Sequence, residues 1–449
     1  MNPDPMHAQA RFGSRIASRF ASRIGRLEPS PIREILSVIE RPGMISFAGG
    51  LPAAETFPRF DVSAMPQQWL QYGASEGEPE LRQAIAGSLR AIGLDCSPQQ
   101  VLIVSGSQQG IDLVAKLFIE RATRVAVETP TYLAALQAFR MFGAEFVALH
   151  RECPARALGG EAPAERPAFV YAIPTFQNPT GHSYDADERA RLAAACDAAQ
   201  VPLFEDDPYR DLAYDPGERT PVCARLRRAP WVYQGSFSKS LAPGLRLGFV
   251  AASPELLAHL VRLKQAADLH SNRISQWLVL QSLRDPARAQ RRERLAASYR
   301  RKRDGFAAAL QRHFSGLADW NTPPGGLFFW LQLRRPIDTR RLLPAAIERS
   351  VAFMPGEPFY PQRIEASGSL RLNFSHADET QVETGLATLA ELVRDALAAA
   401  DAADPEGPGA LARVGRARAA CAAVPPSPAP AQASADEAVG GVTRLGPGS

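Results

Sequence analysis

Residues 101–130 read VLIVSGSQQGIDLVAKLFIERATRVAVETP. Two apolar runs rich in β-formers, VLIVSG (101–106) and RVAVETP (124–130), enclose a helical stretch from Gln108 to Glu120. The alternation continues outward. A helix near 131–142 is followed by AEFVALH, AFVYAIPTF, VPLFEDDPY, WVYQGSFSK and LRLGFVAAS, each short and apolar. Helical segments such as ADERARLAAACDAAQ separate several of them. This pattern predicts an α/β domain with a mostly parallel sheet covered on both faces. Ligands of such sheets gather at the carboxyl ends of the strands. The notable polar residues fall there: Ser105 to Gln109, Asn178, Asp206, Tyr209, Ser236, Ser238 and Lys239.

Further along, a long helical region (about 254–315) leads to GGLFFWLQL (325–333), which reads as a strand opening a second unit. SLRLNFS (369–375) reads as another strand, and helices near 338–349 and 378–399 complete a smaller α/β unit. From about Ala400 the chain turns rich in Ala, Pro, Gly and Ser and holds almost no large apolar residue, so burial cannot offset the entropy of ordering it. A disordered tail is expected there. The start carries Arg11, Arg15, Arg19, Arg23 and Arg26 with no acid between Pro5 and Leu27. Transit peptides can look like this, but a solvated N-terminal helix is the preferred reading. The expected divisions are an Arg-rich extension (1–27), an N-terminal segment on the small domain and substrate site (28–60), a large domain (61–315), a small C-terminal domain (316–399) and the tail (400–449).

Composition excludes several classes. The 449 residues carry 51 Lys and Arg against 47 Asp and Glu, a balance that gives no reason to invoke nucleic acid or a membrane surface. No apolar run approaches the ~20 residues needed to span a bilayer, and no secretory h-region opens the chain. The five cysteines are scattered and never form CxxC, which reads as free thiols in a reducing compartment; a cytoplasmic location is expected. The seven histidines show no ligand spacing, so no metal is expected.

The chemistry centres on Lys239, in SFSKSLAPGLRLG. A lysine amine can condense with a carbonyl cofactor. Ser236, Ser238 and Arg246 around it suit a phosphate. Read alone, a lysine among serines is a surface residue; the accompanying motifs overturn that reading. FEDDPYR places Asp206 at a strand end, where a carboxylate can keep a pyridine nitrogen protonated. Asp206 and Asp207 are not separated by chemistry alone. Tyr209 can bond a phenolate oxygen, as can Asn178 of PTFQNPTG, although that run reads first as a turn. SGSQQG (105–110) puts backbone amides at a helix N-terminus, a ready phosphate site. Tyr132 can stack on a ring, or serve as a core aromatic. Arg371 of LRLNFS can fork a carboxylate, or pair at the surface.

In this order, SPIRE, FAGGLP, LQYGASEGEPELR, SGSQQG, TPTYLAALQ, NPTG, EDDPYR, SFSKSLAPGLRLGF and LRLNFS resemble the class I aminotransferases of pyridoxal-phosphate (PLP) fold type I. The similarity runs from about residue 28 to 399 and points most closely to the 2-aminoadipate and kynurenine aminotransferase II-like group. It implies that Lys239 carries PLP and shuttles the proton, Asp206 pairs with the pyridine nitrogen, and Asn178 and Tyr209 bond the phenolate oxygen. Tyr132 would stack on the ring. Ser107, Gln108, Ser236, Ser238 and Arg246 would hold the phosphate, with Tyr72 reaching the phosphate of the other subunit in a homodimer. Arg371 would bind the substrate α-carboxylate, and Arg33 and Gly50 would help shape the substrate site. The implied reaction moves the amino group of an L-amino acid to a 2-oxo acid, 2-oxoglutarate foremost, in ping-pong fashion. The implied partners are these small molecules, not nucleic acid or membrane. Rival readings are a decarboxylase or carbon–carbon synthase on the same fold, and a transcription regulator with an aminotransferase-like domain, for which the motifs begin too early to leave room for a DNA-binding unit. The donor stays open among 2-aminoadipate, aromatic, kynurenine and branched-chain amino acids.

Overall fold

The computed structural model describes residues 19–27, 41–160 and 165–403. Arg11, Arg15, Arg33 and the tail beyond residue 403 lie outside the described residues. The elements in chain order are β1 (Ile45–Ser46), α1 (Pro79–Ala91), β2 (Val101–Val104), α2 (Ser107–Phe118), β3 (Arg124–Glu128), α3 (Leu133–Phe142), β4 (Glu145–Leu149), α4 (Ala155–Leu158), β5 (Phe169–Ala172), α5 (Ala186–Ala199), β6 (Leu203–Asp206), β7 (Trp231–Ser236), β8 (Gly248–Ala252), α6 (Pro254–Asp268), α7 (Arg273–Arg284), α8 (Arg288–Phe314), β9 (Ala318–Trp320), β10 (Phe328–Leu333), α9 (Leu342–Glu348), β11 (Val351–Ala352), β12 (Met354–Pro355), β13 (Ser369–Asn373) and α10 (Glu379–Ala403).

Seven strands form one sheet in the order β2-β8-β7-β6-β5-β3-β4. All neighbours run parallel except β8, which is antiparallel to both β2 and β7. Every residue of β2, β5 and β6 is buried, which is why these strands read as unbroken runs rather than alternating ones. Helices α2, α3 and α6 pack Ile111, Leu136 and Leu260 on one face, against Val232 and Val250. Helices α1, α5 and α7 pack Leu89, Leu192 and Leu280 on the other, against Val170 and Ala251. Local signals agree with these bounds. Asp185 caps α5 by accepting from the Glu188 amide at 2.7 Å, and Glu188 returns the bond to the Asp185 amide at 2.9 Å, a capping box. Asn272 caps α7 by accepting from the Ser275 amide at 2.9 Å.

A second, four-stranded sheet has the order β12-β13-β10-β9 and is antiparallel throughout. Its aromatic face is held by α8: Phe306 stacks on Phe329 with centroids 5.3 Å apart, and Phe374 meets Phe329 edge-on at 5.6 Å. The two sheets are joined by a strap. Strand β1 pairs in parallel with β11, and the chain then runs on across β13, where the Asn373 amide donates to the Phe47 carbonyl at 2.8 Å. The short strands β1, β9, β11 and β12 were not foreseen from the sequence; at two or three residues they carry too little periodicity to be seen. Among the described residues no helix is long and apolar enough to cross a membrane.

Phe329 is fully buried between two aromatic partners, so Phe329→Ala is expected to destabilise the protein by about 3–5 kcal/mol. Urea unfolding followed by the fluorescence of Trp320 and Trp330, which lie in the same sheet, measures it.

Candidate active site

The carboxyl ends of β2, β3, β5, β6 and β7 converge, and each delivers a polar group to one space. Successive strand residues face opposite ways, and this separates the two adjacent acids. Asp206 turns toward the α2 face, where its carboxylate accepts from the Tyr171 hydroxyl and from the Gln234 side-chain amide, both at 2.8 Å. Asp207 turns to the other face, where it accepts from the Tyr233 hydroxyl at 2.8 Å and from Arg210 Nε at 2.5 Å. Burial pushes the Asp206 carboxyl up to about 6, its two donors pulling back and the Asp207 charge adding to the rise. A buried carboxylate without a cation is poised to pair with one that enters.

Two cations face this space. Lys239 follows β7, and its Nζ donates to the Gly50 carbonyl on the strap at 2.7 Å. Burial first, then the charges of Arg371 and Arg246, push its amine down to about 8. Arg371 sits at the centre of β13, opposite Trp330 of β10 and Met354 of β12. It is buried and donates to Asn178 Oδ1 at 2.9 Å and to the Ala48 carbonyl at 2.6 Å. Its guanidinium lies over the rings of Phe328 (4.2 Å) and Phe359 (5.0 Å), while its Nε has no hydrogen-bond partner. Burial pushes Arg371 down to about 10. Tyr209 is buried, edge-on to Phe328 at 5.7 Å, and hydrogen-bonds Asn178. Tyr132 precedes α3, and its hydroxyl is raised to about 12 by burial and by the Asp206 charge.

The start of α2 forms a cradle. Gly106 caps the helix at φ 83°, a conformation that favours glycine. A side-chain carbon there would lie 2.5 Å from an Arg246 guanidinium nitrogen, so the absence of one lets Arg246 close over the loop. Arg246 itself sits at φ 47°. Gly248 is needed in the same way: a side chain would meet the Ser107 amide at 3.2 Å. The amides of Ser107 and Gln108, the positive end of α2 and the Arg246 guanidinium make a site for a phosphate dianion. The Ser238 amide donates to Ser236 Oγ at 3.2 Å, tightening the turn that leads into Lys239. A buried acid short of a cation, an amine with a lowered pKa and an anion cradle form the donor set that suits PLP.

The structure thus brings together Lys239, Asp206, Tyr209, Asn178, Tyr132, Arg371 and Gly50, with Ser107, Gln108, Arg246, Ser236 and Ser238 at the cradle. Tyr72 stands apart, 76% exposed and edge-on to His270. Arg33 lies outside the described residues. Sequence reasoning missed Tyr171 and Gln234, which hold Asp206, and Gly110, which makes room for Gln234: a side-chain carbon at Gly110 would lie 1.9 Å from Gln234 Oε1. The signal was present in WVYQGS, where a glutamine interrupts an apolar strand. Phe328 and Phe359, the rings beneath Arg371, were also missed; an aromatic in an apolar strand looks like any core residue.

Comparison with known proteins agrees with this geometry. The family described as aminotransferase class I and II matches residues 51–389, and the chain belongs to it. A 2-aminoadipate transaminase of Thermus thermophilus is 36% identical over 84% of this chain and 97% of its own length. An aromatic-amino-acid aminotransferase of Thermococcus litoralis is 34% identical over 84% of this chain and 94% of its own length. The crystal structure of an alpha-aminoadipate aminotransferase of Thermus thermophilus, complexed with N-(5'-phosphopyridoxyl)-L-leucine, superposes with a TM-score of 0.75 at 36% identity, covering 85% of this chain and 99% of that one. The fold is the PLP fold type I, and the protein is a PLP-dependent aminotransferase.

Gln234→Leu removes one of the two donors that hold the Asp206 charge, so the carboxyl is expected to titrate above about 6 in the cofactor-free protein. Carboxyl bands in the infrared difference spectrum, followed against pH, read this shift.

Proposed function

We propose that this protein moves the amino group of an L-amino acid of the 2-aminoadipate, aromatic or branched-chain type to 2-oxoglutarate in ping-pong fashion. The observation that carries the reading is the shared space of Lys239 and Arg371, an amine with a lowered pKa and a carboxylate fork, both reaching the same strap. PLP, when bound, supplies an electron sink for charge developing at the substrate Cα.

The chain's own residues do the rest. Lys239 Nζ would hold the cofactor and, once the substrate amine displaces it, would be the base placed to take the proton from the substrate Cα. Asp206, fixed by Tyr171 and Gln234, keeps the pyridine nitrogen protonated. Asn178 and Tyr209 would bond the cofactor's phenolate oxygen, and Tyr132 would lie against its ring. Ser107, Gln108, Ser236, Ser238 and Arg246 hold the phosphate. Arg371 takes the substrate α-carboxylate, which supplies the acceptor its Nε lacks, while the Gly50 carbonyl faces the substrate; the part that the resemblance implies for Arg33 falls outside the described residues. The exposed ring of Tyr72 reaches the phosphate of a second copy, in a cytoplasmic homodimer. Leu70, Leu269 and Ile274 are exposed along with it, an apolar set that a partner copy would cover. The small unit (316–399) then contributes Arg371, and the large one (61–315) the cofactor residues.

A panel of amino donors against 2-oxoglutarate tests the substrate class; steady oxo-acid formation from none of the three types would overturn it. Lys239→Ala is expected to abolish repeated turnover. Arg371→Gln is expected to lower kcat/KM by roughly 10- to 150-fold, the worth of a hydrogen bond to a charged group.

Only the neutral amine attacks an aldehyde. Because Lys239 is lowered to about 8, the rate at which cofactor-free protein forms its covalent link with PLP is expected to rise through pH 8. Stopped-flow absorbance across pH measures this, and a rise centred near the ordinary lysine value would contradict the assigned environment.

A further inference from the structure

A second concavity, of about 330 Å³, opens on the face of the large sheet opposite Asp206. That volume lies at the small end of ligand sites, roughly 300–1,000 Å³. Leu89, Ile92, Phe237, Phe249 and Leu283 give it an apolar floor. Four guanidinium groups stand on its walls, those of Arg210, Arg219, Arg288 and Arg292. Two of them have carboxylates: Arg210 pairs with Asp207 at 2.5 Å, and Arg292 faces Asp211 at 3.5 Å. Arg219 and Arg288 have none within ion-pair distance among the described residues. Arg219 donates to the Asp215 carbonyl at 3.1 Å, and Arg288 reaches Ser88 Oγ at 3.5 Å.

The surroundings sharpen this excess of positive charge. Arg288 opens α8, a helix of 27 residues with no acid in its first turn and no side-chain cap. The positive end of a helix disfavours cations there. Burial first pushes both Arg219 and Arg288 below the ordinary arginine value; neighbouring guanidiniums add to the fall, while Asp207 opposes it at Arg219 and Asp211 at Arg288. Guanidinium forks above an apolar floor match an anion that carries a hydrophobic body, because inorganic phosphate would leave the floor unused.

We propose that this cavity binds a small organic carboxylate, its carboxyl group held between Arg219 and Arg288 and its apolar body laid on Phe237 and Phe249. The site is separate from the amino-transfer centre but shares walls with it. Asp207 follows Asp206 in the chain, and Ser236 lines the cavity three residues before Lys239. An occupant would therefore lie against the turn that carries Asp206 and Tyr209.

The probe is 3-phenylpropionate, titrated calorimetrically into PLP-loaded Arg371→Gln protein, in which the active-site carboxylate fork is removed. One probe is expected to bind per chain. Ser88→Glu puts a carboxylate beside Arg288, and Arg219→Gln removes one fork; each is expected to weaken binding by roughly tenfold or more. Cofactor absorbance should be unchanged in both, which shows that each is folded; if Arg219→Gln fails to fold, Ser88→Glu decides alone. The proposal is overturned if the probe does not bind, or if it binds the variants as it binds the parent. Equal binding of 3-phenylpropanol or of inorganic phosphate overturns it as well, since charge and apolar body must both count. No turnover is read, so this test can fail while the amino-transfer assignment stands, and the reverse.

Discussion

Two desolvated cations without carboxylate partners, Arg371 buried and Lys239 half-buried, are the constraint around which this molecule is arranged. Lys239 and Arg371 form no ion pair among the described residues; their acceptors are the Gly50 and Ala48 carbonyls and the Asn178 amide. Neutral acceptors offset only part of the cost of removing a charge from water, and both groups respond with lowered pKa values. The proposed ligands are anionic and would fill that deficit. In the proposed reaction a substrate carboxylate would give Arg371 a partner, and condensation with the cofactor would engage the Lys239 amine. Asp206 is the complement, a buried carboxylate raised to about 6 that gains when a protonated pyridine arrives. The fold holds separated charges of both signs whose natural counter-charges sit on the ligand, so binding energy is available for orientation at the reacting carbon.

Holding such a site open requires that two sheets be kept in register, and the strap does this. It pairs with β11 and accepts from the Asn373 amide and from Arg371. The Ser375 hydroxyl donates to the Leu51 carbonyl at 2.6 Å, and the Ala53 amide donates to the Tyr299 hydroxyl at 2.8 Å. All of these groups belong to the small-sheet side of the molecule or to α8. The bond from Lys239 to Gly50 comes from the large sheet. Lys239 and Arg371 are therefore linked through three consecutive residues, 48–50, of one extended segment. Gly50 allows this closeness, since a side-chain carbon there would touch the Phe328 ring at 3.3 Å.

Much of this was legible in the sequence, for physical reasons that differ from residue to residue. The strands of the large sheet were visible because burial on both faces demands unbroken apolar runs, and their carboxyl ends followed from the order of strand and helix. Lys239, Asp206, Asn178 and Arg371 stood out because each is a polar group beside an apolar run. Asp206 and Asp207 stayed unresolved until the alternation of β6 turned one toward Tyr171 and the other toward Arg210. Gln234 and Tyr171 escaped notice because their role is set by contacts across strands, and a sequence lists no neighbours of that kind. The strand pairing of the strap escaped notice because β1 and β11 are two residues each.

The arginines of α8 and of the loop at Arg219 illustrate the same limit from the opposite side. In the sequence, Arg288, Arg291 and Arg292 fall within the long helical region at about 254–315, and nothing there separates them. In the structure they part company. Arg291 turns to Asp285 at 2.6 Å, Arg292 faces Asp211, and Arg288 joins Arg219 over an apolar floor whose two acids, Asp207 and Asp211, already pair with Arg210 and Arg292. Charge on a helix is ordinary where water or a carboxylate answers it. What distinguishes Arg288 and Arg219 from the other surface cations is the concavity they share, which holds them partly out of water at the positive end of a long helix. The same logic marks Lys239 and Arg371: they too are cations that the protein has partly desolvated, with no carboxylate in ion-pair distance among the described residues.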